Sequence, residues 1–369
     1  MAKNELYRQL NITLPTGRYP VFIGRGLQTN TGVLNQVIFS NTVFIVTDET
    51  VATLYLKALQ QALLAYHVDT LVLPAGEAFK NNESLCEIHD ALINAKHDRD
   101  TTLIAVGGGV IGDLVGFAAS TYQRGVRYIQ MPTTLLAQVD ASIGGKTAIN
   151  HASAKNMIGS FYQPHAVMID VDTLKTLPLR EFRSGLAEII KYALLVGEDF
   201  LAFLTKILEG SLSVDSAVLP ELIAKCCLIK ARFFEGDVRE TGARVLLNLG
   251  HTVAHALEAC THYEKWLHGE AVAIGLYCAA LLSQQLGHLS KEDVLQVDAL
   301  LVNAGLPRRI PRSIDLHQLM VVMMSDKKVH HKQLRFVLMK AIGNCYLETH
   351  VTETCLHQIL LKAVEGDLI

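Results

Sequence analysis

The sequence predicts an α/β domain followed by an all-helical domain, with the boundary near residue 178. The first half alternates short, β-branched apolar runs with stretches of helical period, which is typical of a mostly parallel sheet covered by helices. After residue 178, apolar residues recur only at helical spacing. No repeat, low-complexity tract or long Pro/Gly/Ser linker separates the halves. We therefore expect residues 1–178 and 179–369 to pack together with a cleft between them.

Short apolar runs bounded by polar residues or Pro predict four strands in the first half, at residues 42–47, 70–73, 102–106 and 128–131. Apolar residues with a period of about 3.6 predict helices between and after them. These helices cover residues 54–66, 83–95, 114–120, 187–196, 222–234, 253–259 and 271–286.

Composition excludes several classes of protein. Half of the 369 residues are hydrophobic, and 33 Lys and Arg oppose 36 Asp and Glu for a net charge of -3. No bulk positive field is present to attract nucleic acid or an anionic membrane. The longest apolar stretch, residues 271–282, is far below the ~20 residues that span a bilayer. Seven Cys without paired spacing argue against a disulfide framework. We expect a cytoplasmic protein that binds neither nucleic acid nor membrane.

A glycine-rich turn follows the third predicted strand. Residues 107–113 read GGGVIGD, which fits G-x-G-x-x-G between a strand and a helix. Backbone without side chains can approach a pyrophosphate, and a helix N-terminus offers unpaired N–H groups. The acidic residue expected about 20 positions later is missing, because the next strand ends at Pro132. Asp48, after the first predicted strand, is the better candidate for a ribose hydroxyl. The alternative is a tight turn without a ligand.

The middle segment, residues 133–164, combines glycines with cationic and small polar side chains. Lys146 follows a Gly pair, and Lys155 precedes Asn156. Glycines let backbone N–H groups converge on an anion while lysines supply point charges. The segment therefore predicts a cradle for a polyanion, although each Lys taken singly could be a solvated surface residue.

The helical half offers three ligands for a divalent ion. They are Glu188, His251 and a second imidazole, from either His255 or His268. Two imidazoles and one carboxylate with open coordination positions are typical of catalytic zinc. His255 lies one helical turn from His251, so spacing favours it, but spacing cannot decide against His268. Thr252 follows His251, so the H-E-x-x-H motif of zinc peptidases is absent. The alternative is a set of buried, hydrogen-bonded histidines.

Taken together, these motifs resemble the 3-dehydroquinate synthases, NAD-dependent sugar phosphate cyclases of the shikimate pathway. The matching segments cover nearly the whole chain, at residues 74–80, 107–113, 132–150, 155–156, 188–194, 244–258, 268–275 and 326–328. The resemblance implies a nucleotide-binding α/β domain and an all-α metal-binding domain, related in fold to iron-containing alcohol and glycerol dehydrogenases. It also implies a homodimer that converts 3-deoxy-arabino-heptulosonate 7-phosphate to 3-dehydroquinate and phosphate.

The resemblance also implies roles for single residues. Metal ligands for Zn²⁺ or Co²⁺ would be Glu188, His251 and His268. Residues implied to bind NAD are Asp48, Ala75, Gly76, Glu77, Ala78, Phe79, Lys80, Gly109, Val110, Ile111, Gly112, Asp113, Thr133, Thr134, Lys146, Lys155, Thr173, Leu174, Lys175 and Thr176. Residues implied to contact the substrate or to assist catalysis are Arg124, Asp140, Lys146, Lys155, Asn156, Lys191, Lys230, Arg244, Asn248, His255 and Lys328.

Some of these residues carry a more specific expectation. Arg124 would reach across the dimer interface, and Lys191 and His255 would assist proton movement and stabilise oxyanions. The sequence departs from the family pattern at Ala75, where an Asp is common. It also departs after Lys328, where Val-His-His replaces a Gly-containing turn, so either Lys327 or Lys328 could face the site.

Two alternative functions remain open from the sequence. Another sugar phosphate cyclase, of the 2-deoxy-scyllo-inosose or valiolone type, would share the fold and cofactors but use a different sugar phosphate. A metal-dependent polyol dehydrogenase would instead release NADH. Lys230, together with the carboxylate-binding set around Arg244 and Asn248, favours the dehydroquinate reaction.

Overall fold

The computed structural model describes residues 7–14, 17–210, 212–234, 237, 242–326 and 334–366. Two compact units make up the chain. The α/β unit comprises Met1–Pro178 and Val214–Arg239, and the helical unit comprises Leu179–Ser213 and Glu240–Ile369. The first division falls after Pro178, where the sequence predicts it, but the return of Val214–Arg239 to the α/β unit differs from the predicted single boundary. Lys327 and Lys328 lie outside the described residues.

The described strands are β1 (Tyr7–Leu14), β2 (Gly17–Gly24), β3 (Thr42–Asp48), β4 (His67–Leu73), β5 (Thr102–Gly107), β6 (Arg127–Pro132), β7 (Lys146–His151), β8 (Ala154–Phe161), β9 (Ala166–Asp170), β10 (Phe336–Ala341) and β11 (Asn344–Glu348). The described α-helices are α1 (Thr31–Val37), α2 (Glu49–Val51), α3 (Lys57–Ala62), α4 (Asn82–Asn94), α5 (Gly109–Thr121), α6 (Leu179–Val196), α7 (Glu198–Glu209), α8 (Leu219–Phe234), α9 (His251–Cys260), α10 (His268–Gln285), α11 (Lys291–Asn303), α12 (Leu316–Asp326) and α13 (Glu353–Lys362). A π-helical segment, Ala52–Leu56, joins α2 to α3.

A seven-stranded sheet in the order β1-β2-β9-β6-β5-β3-β4 forms the centre of the α/β unit. The pair β1–β2 is antiparallel, and the other pairs are parallel. The chain runs outward from β3 to β4, and then in the opposite direction from β5 to β6 and β9. The carboxyl ends of β3 and β5 therefore flank the point where the strand order reverses, which is where open α/β sheets bind ligands.

Alternating strand residues fill a separate core on each face of this sheet. Phe44 and Val46 of β3 belong to the core that includes residues of α4 and α5. Val43 and Ile45 belong to the opposite core, which includes residues of α1 and α3. Both faces of β3 are thus buried, as expected for a parallel strand covered by helices on each side.

All four predicted strands are confirmed, as β3 to β6. Strands β1, β2 and β9 were not predicted from the sequence, and neither was the hairpin β7–β8 at residues 146–161. The expectation of helices only after residue 178 is wrong, because β10 and β11 form a hairpin. Residues 336–339 are four consecutive buried apolar residues. A run this short has no period that separates a strand from a helix.

The predicted helices are confirmed in position, but all of them begin earlier than the apolar pattern indicates, and in two of them the difference brings a histidine into the helix. The sequence places their starts at residues 253 and 271, whereas α9 begins at His251 and α10 begins at His268. Each histidine is therefore the first residue of its helix. No helix among the described residues combines the length and the apolar composition that a membrane crossing requires.

Candidate active site

The glycine turn joins β5 to α5 at the sheet edge defined above. Gly107 ends β5 and Gly109 begins α5, with no side-chain cap at Gly108. A Cβ atom at Gly107 would lie 2.7 Å from Cβ of Ile111. At Gly109 it would lie 3.5 Å from Cβ of Ala141, which is an ordinary contact. The fold thus requires glycine at position 107, whereas Gly109 leaves the backbone at the helix N-terminus open to an anion.

Asp48 lies at the carboxyl end of the neighbouring strand β3. Its Oδ1 accepts a hydrogen bond from the Val51 amide at 2.9 Å, so the same carboxylate caps α2. The sheet therefore places Asp48 and the glycine turn at adjacent strand ends, as expected for the two parts of a nucleotide site.

Lys80 links three of the segments that the sequence singles out. Its ammonium lies 2.5 Å from Oδ2 of Asp113 and 2.5 Å from Oδ1 of Asn156, and the residue is 5% exposed. Burial raises the pKa of Asp113, and the positive charge of Lys80 opposes that rise. Asn156 adopts a left-handed backbone conformation, with φ of 56°. The structure thus brings together one residue each from the 77–80 segment, the glycine turn and the β7–β8 hairpin.

Asn150, which the sequence analysis missed, also contacts the 77–80 segment. Its Nδ2 donates to Oε1 of Glu77 at 2.8 Å, and its backbone amide donates to the Lys80 carbonyl at 2.7 Å. Lys155 approaches the same Glu77 carboxylate at 3.6 Å. The β7–β8 hairpin and the 77–80 segment therefore form one polar cluster in the α/β unit.

Gln138 is a second residue that the sequence analysis missed. Its side chain is fully buried, and Nε2 donates to the carbonyls of Pro132 and Asp170 and to Oγ1 of Thr173. It thereby fixes the end of β6, next to Thr133, against the 3-10 segment Val171–Thr176. A Gln in an apolar stretch gives no sequence signal for this role, because its partners lie far away along the chain.

Lys230 shows why helix α8 groups with the α/β unit. Its ammonium lies 2.9 Å from Oδ1 of Asp140 and donates to the Asp140 carbonyl at 2.6 Å. On the same helix, the Cys227 thiol lies 3.5 Å from the Gln138 carbonyl. Two residues implied to contact the substrate, Asp140 and Lys230, are therefore direct neighbours.

Arg124 lies away from these residues. The glycine turn begins α5, whereas Arg124 follows the other end of that helix, roughly 18 Å away at 1.5 Å per residue. Gln123 and Arg124 have φ of 47° and 68°, and Gly125 follows with 122°. Left-handed non-glycine residues cost about 1–3 kcal/mol each, and such strain persists where the surrounding structure demands it. The strained segment exposes Arg124.

Three residues of the helical unit converge on one point. Glu188 of α6 has its Oε1 3.6 Å from Nε2 of His251 and 3.5 Å from Nε2 of His268. One ligand atom from each of these residues lies within 4.8 Å of the other two. His255 is not in this group, and its ring centroid lies 5.4 Å from that of His251. The donor set of one carboxylate and two imidazoles suits zinc or cobalt.

The other ring nitrogen of each histidine faces an acceptor. Nδ1 of His251 lies 3.1 Å from the Leu249 carbonyl, and Nδ1 of His268 lies 3.5 Å from Oε1 of Glu258. A proton on Nδ1 leaves the lone pair on Nε2, which faces Glu188 in both cases. This is the arrangement that metal-ligating histidines adopt. Glu258 was not identified from the sequence, although positions 251, 255 and 258 lie on one helical face.

The electrostatics of the two imidazoles differ. Burial, together with the nearby Lys191 ammonium, holds the pKa of His251 well below its usual value. Burial also opposes the charged form of His268, but hydrogen bonds to Glu188 and Glu258 raise the pKa of His268 to about 10. A cation needs both imidazoles neutral, so binding at this cluster displaces a proton from His268.

Lys191 lies one turn beyond Glu188 on α6 and pairs with Oε2 of that carboxylate. Both side chains are almost completely buried, at 3% and 1% exposed. A buried ammonium next to the cluster can stabilise negative charge that develops on a substrate oxygen. Arg244, also buried, and Asn248 lie on the 3-10 segment Ala243–Asn248 that precedes α9.

Glycines on α10 allow the close packing of α6, α9 and α10 that brings Glu188, His251 and His268 together. A Cβ atom at Gly269 would lie 1.9 Å from the Ser184 carbonyl oxygen, which fixes α10 against α6. A Cβ atom at Gly275 would lie 1.9 Å from the Gly250 carbonyl oxygen, which fixes α10 against α9. Each clash is with backbone, so neither could be relieved by a side-chain rotation. The Gly269 amide also donates to Oγ of Ser184 at 3.0 Å.

Two family models match this chain. The model described as 3-dehydroquinate synthase N-terminal covers residues 70–184, and the model described as 3-dehydroquinate synthase C-terminal covers residues 185–329. The 3-dehydroquinate synthase of Legionella pneumophila strain Lens is 58% identical over 367 residues, covering 100% of both chains. That of Hydrogenovibrio crunogenus is 45% identical, covering 96% of this chain and 99% of its own.

Solved structures of related enzymes share the fold. A 2-epi-5-epi-valiolone synthase from Streptomyces hygroscopicus with NAD⁺ and Zn²⁺ bound is 28% identical, with a TM-score of 0.85 over 94% of this chain and 96% of its own. A 2-deoxy-scyllo-inosose synthase is 24% identical, with a TM-score of 0.87 over 97% and 100%. Glycerol dehydrogenase from Schizosaccharomyces pombe is 17% identical, with a TM-score of 0.66 over 98% and 91%. The predicted fold class is confirmed, except that the helical unit also contains the β10–β11 hairpin. On the family models and the full-length identity, this chain belongs to the 3-dehydroquinate synthase family.

Proposed function

We propose that this chain converts 3-deoxy-arabino-heptulosonate 7-phosphate to 3-dehydroquinate and phosphate, using NAD and one divalent cation, Zn²⁺ or Co²⁺. The reaction course would be transient oxidation, phosphate elimination, re-reduction and intramolecular aldol closure, with no net redox change. The observation that carries the proposal is the convergence of Glu188, His251 and His268 in a chain 58% identical to a 3-dehydroquinate synthase over its whole length.

The donor set supports the cation, and the strand topology supports NAD. Glu188, His251 and His268 would hold the cation, and Asp48 and the glycine turn would hold the NAD ribose and pyrophosphate. When bound, the cation supplies Lewis-acid polarisation of a substrate hydroxyl, and NAD supplies a reversible hydride acceptor. The valiolone synthase with NAD⁺ and Zn²⁺ bound is consistent with this pair of cofactors.

The chain's cationic side chains suit a substrate with a carboxylate and a phosphate. The protein has a net charge of -3, so the anionic substrate must be met locally by buried or clustered cations. Arg244 is 1% exposed and Lys230 is 7% exposed, which places both cations where solvent screens them little. We assign carboxylate recognition to Arg244 and Asn248, and we assign a polar substrate contact to the Asp140–Lys230 pair.

Lys191 and His255 would assist proton movement. Lys191 is buried against Glu188, so its ammonium is positioned to stabilise an oxyanion beside the cation ligands. His255 packs against His251 at 5.4 Å between ring centroids, outside the group of three ligands. Imidazole is the side chain that most often transfers protons in enzymes. A positioned proton-transfer group typically contributes about 10²–10⁴-fold to a rate.

A homodimer would account for the position of Arg124. This residue lies roughly 18 Å along α5 from the glycine turn of its own chain, in a strained and exposed segment. Strain of this kind is a mark of a functional position. We infer that Arg124 contacts the substrate bound by the partner subunit. The test is a mixed dimer in which only one chain is otherwise active. Activity should be lost when Arg124→Ala is on the inactive chain and kept when it is on the active chain.

The experiment that tests the proposed function is incubation of the purified protein with the heptulosonate phosphate, NAD and zinc, with identification of the product. The proposal expects equal amounts of 3-dehydroquinate and phosphate, and no activity after prolonged chelation until zinc or cobalt is restored. A polyol dehydrogenase would accumulate NADH instead. Turnover only of a different sugar phosphate would identify the chain as another kind of cyclase.

A further inference from the structure

We propose that Glu258 is a positioning residue that holds His268 in the orientation and tautomer needed to bind the cation. The inference rests on the cation site of the proposed function. Glu258 lies near the C-terminal end of α9, and its side chain is 7% exposed. Its Oε1 is 3.5 Å from Nδ1 of His268, on the side of the imidazole ring opposite the nitrogen that faces Glu188.

The two histidine ligands differ in how much their surroundings restrain them. The His251 side chain is 12% exposed, and its Nδ1 faces the neutral carbonyl of Leu249. The His268 side chain is 33% exposed, and its Nδ1 faces a carboxylate. The less buried ring therefore has the charged partner. A carboxylate fixes the proton on Nδ1 more strongly than a carbonyl does, and it makes Nε2 a better electron donor.

Helix stability does not account for a carboxylate at this place. Glu258 is two residues from the last residue of α9, where the helix dipole disfavours a negative charge. Burial of an ionised carboxyl carries a further cost unless a partner offsets it. The imidazole of His268, 3.5 Å from Oε1, is a partner that offsets this cost. On α9, His251, His255 and Glu258 lie at i, i+4 and i+7, so one helix face supplies a ligand, a neighbouring imidazole and this carboxylate.

The inference is tested by zinc binding to metal-free protein, measured by competition with a chromophoric chelator, and by the visible spectrum of the Co²⁺-loaded protein. Glu258→Gln keeps the shape and removes the charge. It is expected to raise the zinc Kd about 10–100-fold, the usual cost of losing such a partner, and to alter the cobalt bands. Glu292→Gln, an exposed carboxylate at the start of α11, is the matched control and should leave both readouts unchanged.

Two further variants keep the test decisive. Glu258→Asp keeps the charge on a shorter side chain, so zinc affinity between that of the wild type and Glu258→Gln is expected; it also serves if Glu258→Gln does not fold. His251→Ala reports on the cation site itself and should abolish tight binding. Wild-type zinc affinity and cobalt spectrum in both Glu258 variants would overturn the inference and leave the cation site standing. Unchanged zinc affinity in His251→Ala would overturn the cation site and the inference together.

Discussion

The two units present their candidate binding groups by different means. In the α/β unit, strand ends and helix N-termini present backbone groups, and the residues at positions 107 to 113 are contiguous in the sequence. In the helical unit, side chains from α6, α9 and α10 converge, and backbone contacts at Gly269 and Gly275 set the spacing of those helices. A substitution in the first unit can therefore remove a binding contact without changing the fold. In the second unit, a change in helix spacing removes ligands.

The largest expected effect is on the cation cluster. His251→Ala should lower activity by at least about 10²–10³-fold, the loss typical of removing one electrostatic group at a reacting oxygen, because it removes one of the three side chains whose ligand atoms converge. Turnover and bound zinc are measured on the same sample. His357→Ala, on the exposed face of α13, is the control. Full activity in His251→Ala would show that activity does not depend on a cation held by His251.

Gly275→Ala tests whether helix spacing controls the cluster. The added Cβ would lie 1.9 Å from a backbone oxygen, so α9 and α10 must separate. Overpacking of this kind costs about 1–3 kcal/mol in the free energy of unfolding, and we expect zinc affinity to fall with it. Denaturant unfolding and chelator competition measure the two effects. Unchanged zinc affinity would mean that the ligands tolerate a shift of α10.

Gly109→Ala is the matched substitution in the α/β unit. Its Cβ would meet Ala141 at 3.5 Å, an ordinary contact, and Gly109 is the first residue of α5, where Ala is acceptable. The free energy of unfolding should change by less than about 0.5 kcal/mol, while the NAD Kd rises because the methyl group obstructs the pyrophosphate. Isothermal titration calorimetry with NAD measures the Kd. If Gly109→Ala lowered the free energy of unfolding and left the NAD Kd unchanged, Gly109 would serve packing and not binding, which contradicts the difference proposed between the two units.

The smallest expected effect concerns Asp172 in the 3-10 segment Val171–Thr176. The resemblance assigns residues 173–176 of this segment to NAD binding. Partial burial raises the pKa of Asp172, but hydrogen bonds from Lys175 and Arg25 outweigh it, so the pKa is lowered overall. A lowered pKa in the folded state stabilises the protein above the unfolded pKa, and the stabilisation is lost as pH falls through the folded pKa. Asp172→Asn should therefore cost less than about 1 kcal/mol at pH 7, as for a solvent-screened pair. The difference from wild type should shrink as pH falls below about 4 and disappear once the pH lies below the lowered pKa of Asp172. A difference that persists at low pH would contradict this origin.

Much of the α/β unit could be predicted from the sequence because its strands are buried on both faces and read as continuous apolar runs, as β5 does. The strand β1 was missed because only two of its residues, Ile12 and Leu14, are buried. Helix α8 was assigned to the wrong half, since an amphipathic period shows that a helix packs but not what it packs against. The pairing of Lys230 with Asp140 appears only in three dimensions.

The candidate site was less accessible to sequence reasoning. Spacing along α9 favoured His255 as a ligand, whereas the structure brings His268, the first residue of another helix, next to Glu188. Nothing in the local sequence reports that approach, which depends on backbone contact at Gly269 and Gly275. Glu258 carried a signal, its helical register with His251, but that signal becomes informative only once His268 is known to lie opposite.

Turnover per NAD tests the central claim most directly. We propose that NAD bound by the α/β unit is reduced and reoxidised in every catalytic cycle. The reaction also requires the cation. With one NAD per protein chain and excess heptulosonate phosphate, this proposal predicts many molecules of 3-dehydroquinate per NAD and no lasting NADH absorbance. A reaction that stops after one product molecule per NAD, with all the cofactor left reduced, would contradict it.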